Sequence, residues 1–164
     1  MHDIARSART YGLRGYFVVV PIEAQHPVVE KIIEHWSSGA GNRRFPERTE
    51  AIGLVRVARS IDDAIAEITE REGRAPRLVA TSAKRGEDRN RYGDESARIA
   101  EGTEPTLLLF GTGHGLSPTV LSRCDSILSP IEGPTPYNHL SVRAAAAITF
   151  DRLFGRRESP NDAI

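Results

Sequence analysis

The sequence of 164 residues has a single cysteine and no net charge, with 22 basic and 22 acidic side chains. One cysteine, Cys124, can form neither an intramolecular disulfide nor a thiolate zinc site, which favours a reducing, cytoplasmic location without a bound metal. Balanced charge argues against holding a nucleic acid by bulk attraction, so any such site must be a local basic patch. No apolar run approaches the ~20 residues of a membrane span, and the residues after Met1 lack the apolar stretch of a signal peptide. We therefore expect a soluble protein with no membrane partner.

Short apolar runs alternate with amphipathic segments along the chain, in which 39% of the residues are hydrophobic and 27% are charged. This composition and length suit one globular core. The pattern predicts strands at Tyr16–Val20, Leu54–Val57, Arg77–Thr81, Thr106–Phe110 and Ser126–Leu128. It predicts helices at Asp3–Tyr11, Pro27–Trp36, Glu95–Glu101 and Leu140–Phe154, two more that begin at Ser60 and Pro118, and loops at Ser37–Arg48 and Arg85–Asp94.

Strands that alternate with helices at this spacing predict an α/β fold, in which a mostly parallel sheet carries helices on both faces. The sequence contains neither a recognisable internal repeat nor a linker. We therefore expect a single domain over residues 1–155, followed by a polar tail over residues 156–164.

A glycine turn, Gly111–Gly115, directly follows the most hydrophobic of the predicted strands. Glycines at the carboxyl edge of a parallel sheet let backbone amides and carbonyls approach a ligand closely. The turn is not a P-loop, because no Gly-Lys-Ser/Thr follows, and its spacing is not that of dinucleotide-binding proteins. From these residues alone, a ligand site and a tight turn without a ligand are equally good interpretations.

A polar segment, Tyr137–Arg143, opens the last predicted helix, which continues with the small run Ala144–Ala147. Small side chains let a helix pack closely against another backbone or against a ligand. The structural alternative is that Asn138 or Ser141 caps the helix. A basic group, Arg43, Arg44 and Arg48 beside Trp36 and Phe45, suits RNA phosphates and bases, although a solvated loop explains it equally well.

Several ordered segments resemble motifs of the SPOUT superfamily of RNA methyltransferases. Ile4–Gly12 resembles motif 1 of the SpoU (TrmH-like) branch, with Arg6 six positions before the glycine. The segments that resemble motifs 2 and 3 are Leu107–Pro118, Cys124–Asp125, Ser129–Ile131 and His139–Ala147. Nearly the whole chain is similar to a bacterial family, the SAM-dependent RNA (guanine-N1) methyltransferase C-terminal domain. The glycine turn departs from SpoU motif 2 in holding His114 instead of a Glu, and Ser141 and Arg143 replace the Asn and Ser of motif 3.

This resemblance implies a C-terminal trefoil knot, a homodimer, and a further strand ahead of the helix that starts near Met1. It implies that S-adenosylmethionine lies between the loop after Thr81, the glycine turn and the segment before the last helix, where apolar side chains form a slot for adenine. The implied cofactor-binding residues are Thr81, Ser82, Ala83, Leu109, Gly111, Gly113, Gly115, Ile131, Asn138, Leu140, Ser141 and Ala145. Arg6 takes the catalytic position, and the implied RNA-binding residues are Arg6, Arg9, Arg43 and Arg44.

The function that the resemblance implies is methyl transfer from S-adenosylmethionine to RNA, with tRNA as the expected substrate. Motif 1 favours a ribose 2′-hydroxyl as the acceptor, whereas the family description favours guanine N1. Two alternatives stay open at this point. The chain is a noncatalytic cofactor- or RNA-binding module that supports another methyltransferase, or it is a nucleotide-binding regulator that uses the glycine turn for phosphate.

Overall fold

The computed structural model describes residues 1–38 and 46–156 of the chain. In chain order its elements are α1 (His2–Thr10), β1 (Tyr16–Val19), a 3-10 turn (Glu23–Gln25), α2 (His26–Ser38), α3 (Pro46–Ile52), β2 (Val55–Ala58), α4 (Ile61–Glu72), β3 (Arg77–Ala80), α5 (Tyr92–Glu101), β4 (Thr106–Leu109), α6 (Pro118–Leu121), β5 (Ser126–Ile127) and α7 (Val142–Phe154). Every predicted strand and helix is present. Within the described ranges, no helix has both the length and the apolar character needed to cross a bilayer.

Every strand pair is parallel, as predicted, but the strands form two sheets. In the first sheet β1 pairs with β2, from Tyr16 opposite Val55 to Val19 opposite Ala58. In the second sheet β3 lies between β4 and β5. The expected single sheet is thus interrupted between β1 and β4, because no strand in the described part of the chain lies between them.

Two helices begin inside segments that were predicted to be loops. α3 begins at Pro46, within the predicted loop Ser37–Arg48, because proline suits the first turn of a helix and an acidic residue follows it. α5 begins at Tyr92, within the predicted loop Arg85–Asp94, and also has acidic residues in its first turn. The charged residues in these segments were helix-start signals rather than signs of a loop. Residues 39–45 lie outside the described ranges.

The start of α4 agrees with its sequence signal. The Ser60 hydroxyl accepts a hydrogen bond from the Asp63 amide at 3.0 Å, and the Asp63 carboxylate accepts one from the Ser60 amide at 3.1 Å. This reciprocal pair satisfies two amides that the helix itself leaves without partners. The helix ends at Gly73, whose φ of +74° is a conformation that glycine adopts without strain.

α1 and α7 run in the same direction and lie side by side. At their amino ends, Arg143 donates to the carboxylate of Asp3 at 3.3 Å. Near their carboxyl ends, the Tyr11 hydroxyl donates to Asp151 at 3.0 Å. The amino ends of the two helices therefore meet at one end of the molecule.

A hydrophobic cluster between these two helices joins the two sheets. Ala8 of α1 and Ala146 of α7 are fully buried, and their small side chains allow the helices to approach closely. Phe150 packs with them, and the cluster reaches Leu54, which precedes β2, and Leu108 in β4. Burial of Phe150 alone contributes roughly 1.5–3 kcal/mol. Apolar packing, not hydrogen bonding between strands, therefore connects the two sheets.

A buried ion pair anchors the second sheet to α5. Arg77 at the start of β3 donates to both carboxylate oxygens of Glu95, at 2.5 and 3.2 Å. Glu95 also accepts from the Ser126 hydroxyl at 2.8 Å and from the Asn90 amide at 3.4 Å. Burial alone would raise the pKa of Glu95, but the bonds from these three residues offset it, so the pKa lies below the usual range. The carboxylate is therefore charged and joins β3, β5, α5 and the loop before α5.

We expect Glu95→Gln to destabilise the protein by about 3–5 kcal/mol, because the Arg77 guanidinium then stays buried without its counter-charge. The free energy of unfolding, measured in urea, checks this. Because the pKa of Glu95 is lower in the folded protein than in the unfolded chain, its contribution is complete above the unfolded pKa. That contribution is lost as the pH falls through the folded pKa.

The matched control is Glu67→Gln, which removes a half-exposed ion pair with Arg56 and should change stability by no more than about 1 kcal/mol. Equal urea midpoints for the two variants would contradict a structural role for the Arg77–Glu95 pair.

Candidate functional site

Three loops meet at the carboxyl edge of the second sheet, because parallel strands end on the same side. They span residues 81–91 after β3, residues 110–117 after β4 and residues 128–141 after β5. The first contains Thr81–Ala83, the second contains the glycine turn, and the third leads to α7. The structure therefore gathers the three segments that hold the predicted cofactor-binding residues.

The glycine turn folds back on itself so tightly that a side chain does not fit at Gly111. A Cβ atom on Gly111 would lie 2.3 Å from the carbonyl carbon of Gly115 and 2.4 Å from the nitrogen of Leu116. Gly113 and Gly115 have φ angles of +57° and +86°, a region that favours glycine. A Cβ at either position would meet nothing within 4 Å. The backbone of the turn is thus open on one side, where a ligand can lie against it.

The polar side chains of the first loop hold its backbone in place. The Thr81 amide and hydroxyl both donate to the Leu109 carbonyl, at 3.0 and 2.9 Å, and so fasten the end of β3 to the end of β4. The Ser82 hydroxyl accepts from the Lys84 amide at 3.1 Å. These two predicted cofactor residues therefore shape the loop, and the backbone of the same loop is left as the candidate surface for a ligand.

Two side-chain contacts, which we call the loop junction, fasten the first loop to the third. The Asn138 side-chain amide donates to the Ala83 carbonyl at 3.0 Å. The Arg85 guanidinium donates to Glu132 at 2.6 Å, with both side chains substantially exposed. At the base of the same loops, Asn90 exchanges backbone hydrogen bonds with the segment around β5. Asn138 thus positions the two loops relative to each other.

The third loop ends at the cap of α7. The Ser141 hydroxyl accepts from the helix backbone at 3.4 Å, and its carbonyl accepts from the Ala145 amide at 2.9 Å. The capping interpretation is therefore confirmed for Ser141. Leu140 is 45% exposed, Ile131 is half-buried, and Ala145 is half-buried in α7. Ile131 and Leu140 belong to the third loop and Ala145 lies in the first turns of α7, and their part in an adenine slot stays a prediction.

A cleft of about 1090 Å³ runs between β1 and β4 and reaches the glycine turn. Ile4 and Ala8 of α1 line it, and so does Arg143 at the start of α7. Four predicted cofactor residues also line it, namely Leu109, Gly111, Gly115 and Ser141. Among the described residues, the predicted ones that do not line the cleft are Thr81, Ser82, Ala83, Gly113, Ile131, Asn138, Leu140 and Ala145.

The predicted arginines lie in different surroundings. Arg6 is exposed on α1 and does not line the cleft in the described part of the chain. Arg9 is also exposed, and its guanidinium pairs with Glu50, which offsets its charge. Arg43 and Arg44 lie outside the described residues. Of the predicted RNA-binding group the structure describes only Arg6 and Arg9, one turn apart on α1, so the group as a whole stays a prediction.

Arg143 is a candidate functional residue that the sequence analysis treated only as a departure from motif 3. It lies in the first turn of α7, lines the cleft, and contacts Asp3. A signal for it was present in the sequence, because a cation in the first turn of a helix opposes the helix dipole. A basic side chain at such a position indicates a favourable contact other than the helix dipole.

The histidines and the cysteine do not form a nucleophile–base pair among the described residues. His114 is exposed on the glycine turn, and the exposed His139 ring packs edge-on against Tyr137 with centroids 5.3 Å apart. The half-buried Cys124 thiol donates to the Val120 carbonyl at 3.2 Å, and burial raises its pKa. The thiol is therefore poorly suited to act as a nucleophile.

The parallel strands and the helices between them define an α/β protein, with the candidate ligand site at the carboxyl edge of the second sheet. Residues 1–155 match the family described as SAM-dependent RNA methyltransferase. The chain belongs to this family.

Curated relatives agree with this membership, and a solved structure has a similar fold. The chain is 46% identical to a tRNA (guanine-N(1)-)-methyltransferase of Oleidesulfovibrio alaskensis over 94% of its length, but spans only 36% of that protein. It is 42% identical to an uncharacterized protein of Aquifex aeolicus, with 95% of this chain and 76% of that protein aligned. Its fold is similar to that of a probable methylase family protein from Haemophilus influenzae, at a TM-score of 0.63 and 20% identity, over 93% of this chain and 58% of the other.

We expect Asn138→Ala to loosen the third loop, because it removes a hydrogen bond worth about 1 kcal/mol. Hydrogen exchange of the amides in residues 129–141 should quicken roughly fivefold, in proportion to that loss. Arg123→Ala is the control, since it breaks an exposed ion pair with Asp62 away from these loops. Unchanged exchange in Asn138→Ala would mean that the junction does not hold the loops together.

Proposed function

We propose that this chain is a methyltransferase domain that transfers a methyl group from S-adenosylmethionine to tRNA in the cytoplasm. The observation that carries the proposal is the glycine turn, whose bare backbone stands at the carboxyl edge of the parallel sheet, beside the start of α7. Family membership over residues 1–155 supports the choice of cofactor. The names of the curated relatives support tRNA as the substrate.

The cofactor is proposed to lie between the three loops at the carboxyl edge, within a trefoil knot formed by the C-terminal part of the chain. Two contacts support this placement: Thr81 fastens the first loop to β4, and Asn138 fastens it to the third loop. Within the turn the Gly115 amide donates to the Thr112 carbonyl at 3.1 Å. The other backbone groups of Gly111–Gly115 are proposed to bind the adenosyl group. The other residues assigned to the cofactor are Ser82, Ala83, Leu109, Ile131, Leu140, Ser141 and Ala145.

The protein's contribution to the reaction is positioning. When bound, the cofactor supplies an electrophilic methyl group, and the acceptor atom must be held in line with the carbon–sulfur bond. Arg6 is assigned to stabilise the oxyanion that develops when a ribose 2′-hydroxyl loses its proton. The resemblance of Ile4–Gly12 to motif 1 favours this acceptor, whereas the name of the curated relatives favours guanine N1.

We expect Gly111→Ala to abolish binding of S-adenosylhomocysteine, because its Cβ overlaps the backbone of Gly115 and forces the turn open. Isothermal titration calorimetry measures the binding, and transfer of a tritiated methyl group to unfractionated tRNA measures the activity. Gly93→Ala is the matched control, since a Cβ at Gly93 meets nothing within 4 Å in α5.

Gly93→Ala should bind S-adenosylhomocysteine as the unaltered chain does. If Gly111→Ala also retained its affinity and remained folded by circular dichroism, the glycine turn would not be part of the cofactor site.

We also propose that a further strand, parallel to β1 and β4, belongs in the cleft. Both strands pair on one side only, and both line the cleft along their full length. Unpaired backbone groups along a strand edge are a template for another strand. A strand in this place would turn the two sheets into one, in the order β2-β1-new-β4-β3-β5, and the resemblance implies a further strand ahead of α1.

A chain lengthened at its amino terminus by about 15 residues, enough for one strand and a connection, tests this proposal. We expect the amides of β1 and β4 to exchange far more slowly in the extended protein, and the protein to sediment as the proposed homodimer. Amides of β3, which already has partners on both sides, should be unaffected. Unchanged exchange at β1 and β4 would refute the strand.

A second candidate function is a noncatalytic module that binds cofactor or RNA for a separate methyltransferase. The observation that favours it is that the chain spans 36% of its first curated relatives, so most of each relative lies outside the matched region. Binding of S-adenosylhomocysteine without methyl transfer to tRNA would support the module. Transfer by residues 1–155 alone, the range that we propose as the single domain ahead of a polar tail, would exclude it.

A further inference from the structure

Three arginines lie on α1, α3 and α7, and α1 packs against both of the other helices. Arg143 lines the cleft, and its guanidinium lies 3.3 Å from the carboxylate of Asp3. Arg6 lies one turn along α1 from Asp3, and Arg48 lies on α3. Burial lowers the pKa of His2, and the nearby guanidinium groups of Arg48 and Arg6 lower it further. We call Arg6, Arg48 and Arg143 the arginine patch.

The elements that carry the patch are packed together, so the patch is a fixed feature of the fold. α1 packs against both α3, which carries Arg48, and α7, which carries Arg143. The side chains of Ala5 and Ala8 are buried in these two contacts. The three guanidinium groups therefore stand on a rigid three-helix base.

Asp3 holds Arg143 only weakly. The contact is a single hydrogen bond of 3.3 Å, and the two side chains are 69% and 56% exposed. Exposed pairs of this kind are screened by salt and contribute little to stability. A stronger anion can therefore replace Asp3, and a phosphate that accepts two hydrogen bonds from the guanidinium fork is such an anion.

We propose that the arginine patch binds the phosphate backbone of the RNA substrate, and that Arg143 exchanges Asp3 for a phosphate oxygen when RNA binds. This inference rests on the proposed function and assigns its RNA surface. The patch shares Arg6 with the group expected from the sequence and adds Arg48 and Arg143.

A polyanion suits the patch better than the carboxylate of the methyl donor. One guanidinium group satisfies one carboxylate, whereas three exposed or half-exposed ones match the repeated charges of a nucleic-acid backbone. Arg143 also lines the end of the cleft that reaches Gly111, so RNA held there lies beside the proposed cofactor site.

The test measures binding of unfractionated tRNA by fluorescence anisotropy as a function of salt concentration. We expect Arg143→Ala to weaken binding about fivefold at low salt and to reduce the slope of log K against log salt by roughly 0.7–0.9, the value for one lost phosphate contact. Arg143→Lys should retain most of the slope, because it keeps the charge. Asp3→Asn should strengthen binding about twofold, because it removes the competing carboxylate.

Arg123→Ala is the matched control, because Arg123 also forms an exposed pair with an aspartate, Asp62, and its loss changes the net charge equally. It should leave the affinity and slope within about 1.5-fold of the unaltered protein, as expected when no phosphate contact is lost. Binding of S-adenosylhomocysteine is titrated on every variant and should not change.

The outcomes of these titrations separate a failure of the arginine patch from a failure of the proposed function. Unchanged tRNA affinity in Arg143→Ala, while the unaltered protein binds both tRNA and S-adenosylhomocysteine, overturns the arginine patch and leaves the proposed function standing. Weakened S-adenosylhomocysteine binding with an unchanged tRNA slope assigns Arg143 to the cofactor and also overturns it. An unaltered protein that binds neither ligand overturns the proposed function together with the patch.

Discussion

The bonds between Arg77 and Glu95 hold the second sheet, whose carboxyl edge carries the candidate site, against α5. Glu95 accepts hydrogen bonds from three residues, and its side chain is completely buried. Taking a carboxylate and a guanidinium out of water is costly, and the bonds that Glu95 accepts from Arg77, Ser126 and Asn90 offset that cost. Through Asn90 and Ser126 this buried charge fixes the end of the first loop and the strand, β5, from which the third loop begins.

In the candidate site, side chains position the loops, and backbone groups are the proposed contacts to the ligand. Side-chain hydrogen bonds hold the loops in place, and they come from Thr81, Ser82 and Asn138. The glycine turn is tightest where Gly111 meets Gly115, and its three glycines leave the backbone there uncovered by side chains. A site of this kind recognises its ligand through amides and carbonyls, whose positions depend on the loop fastenings around them. Substitutions that leave every ligand contact in place can therefore still alter binding.

Much of the architecture was predictable from the sequence, because apolar periodicity reports which residues are buried. The run at Thr106–Leu109, the capping pair at Ser60 and the parallel pairing all agree with it. The start of α3 at Pro46 was missed because a basic, glycine-rich composition was given more weight than one helix-start signal. No local sequence pattern predicts that Glu95 is buried, because its partner Arg77 is 18 residues away.

Site residues were less predictable, since spacing along the chain does not say which way a helix face points. The resemblance to motif 1 assigns the catalytic position to Arg6. In the structure, the residues of α1 that line the cleft are Ile4 and Ala8. Arg143 was visible in the sequence as an unusual cation at a helix start. Its contact with Asp3, 140 positions earlier in the sequence, is visible only in the structure, where α1 and α7 pack side by side in the same direction.

That packing has a mechanical consequence. The two sheets share no strand, so the distance between β1 and β4 is set by how closely α1 and α7 approach, and the methyl groups of Ala8 and Ala146 set that approach. Helix axes separate as their contact side chains grow. Two alanines in a helix contact thus determine the separation between β1 and β4, across which a further strand would have to form its hydrogen bonds. Larger side chains at these two positions would widen that separation.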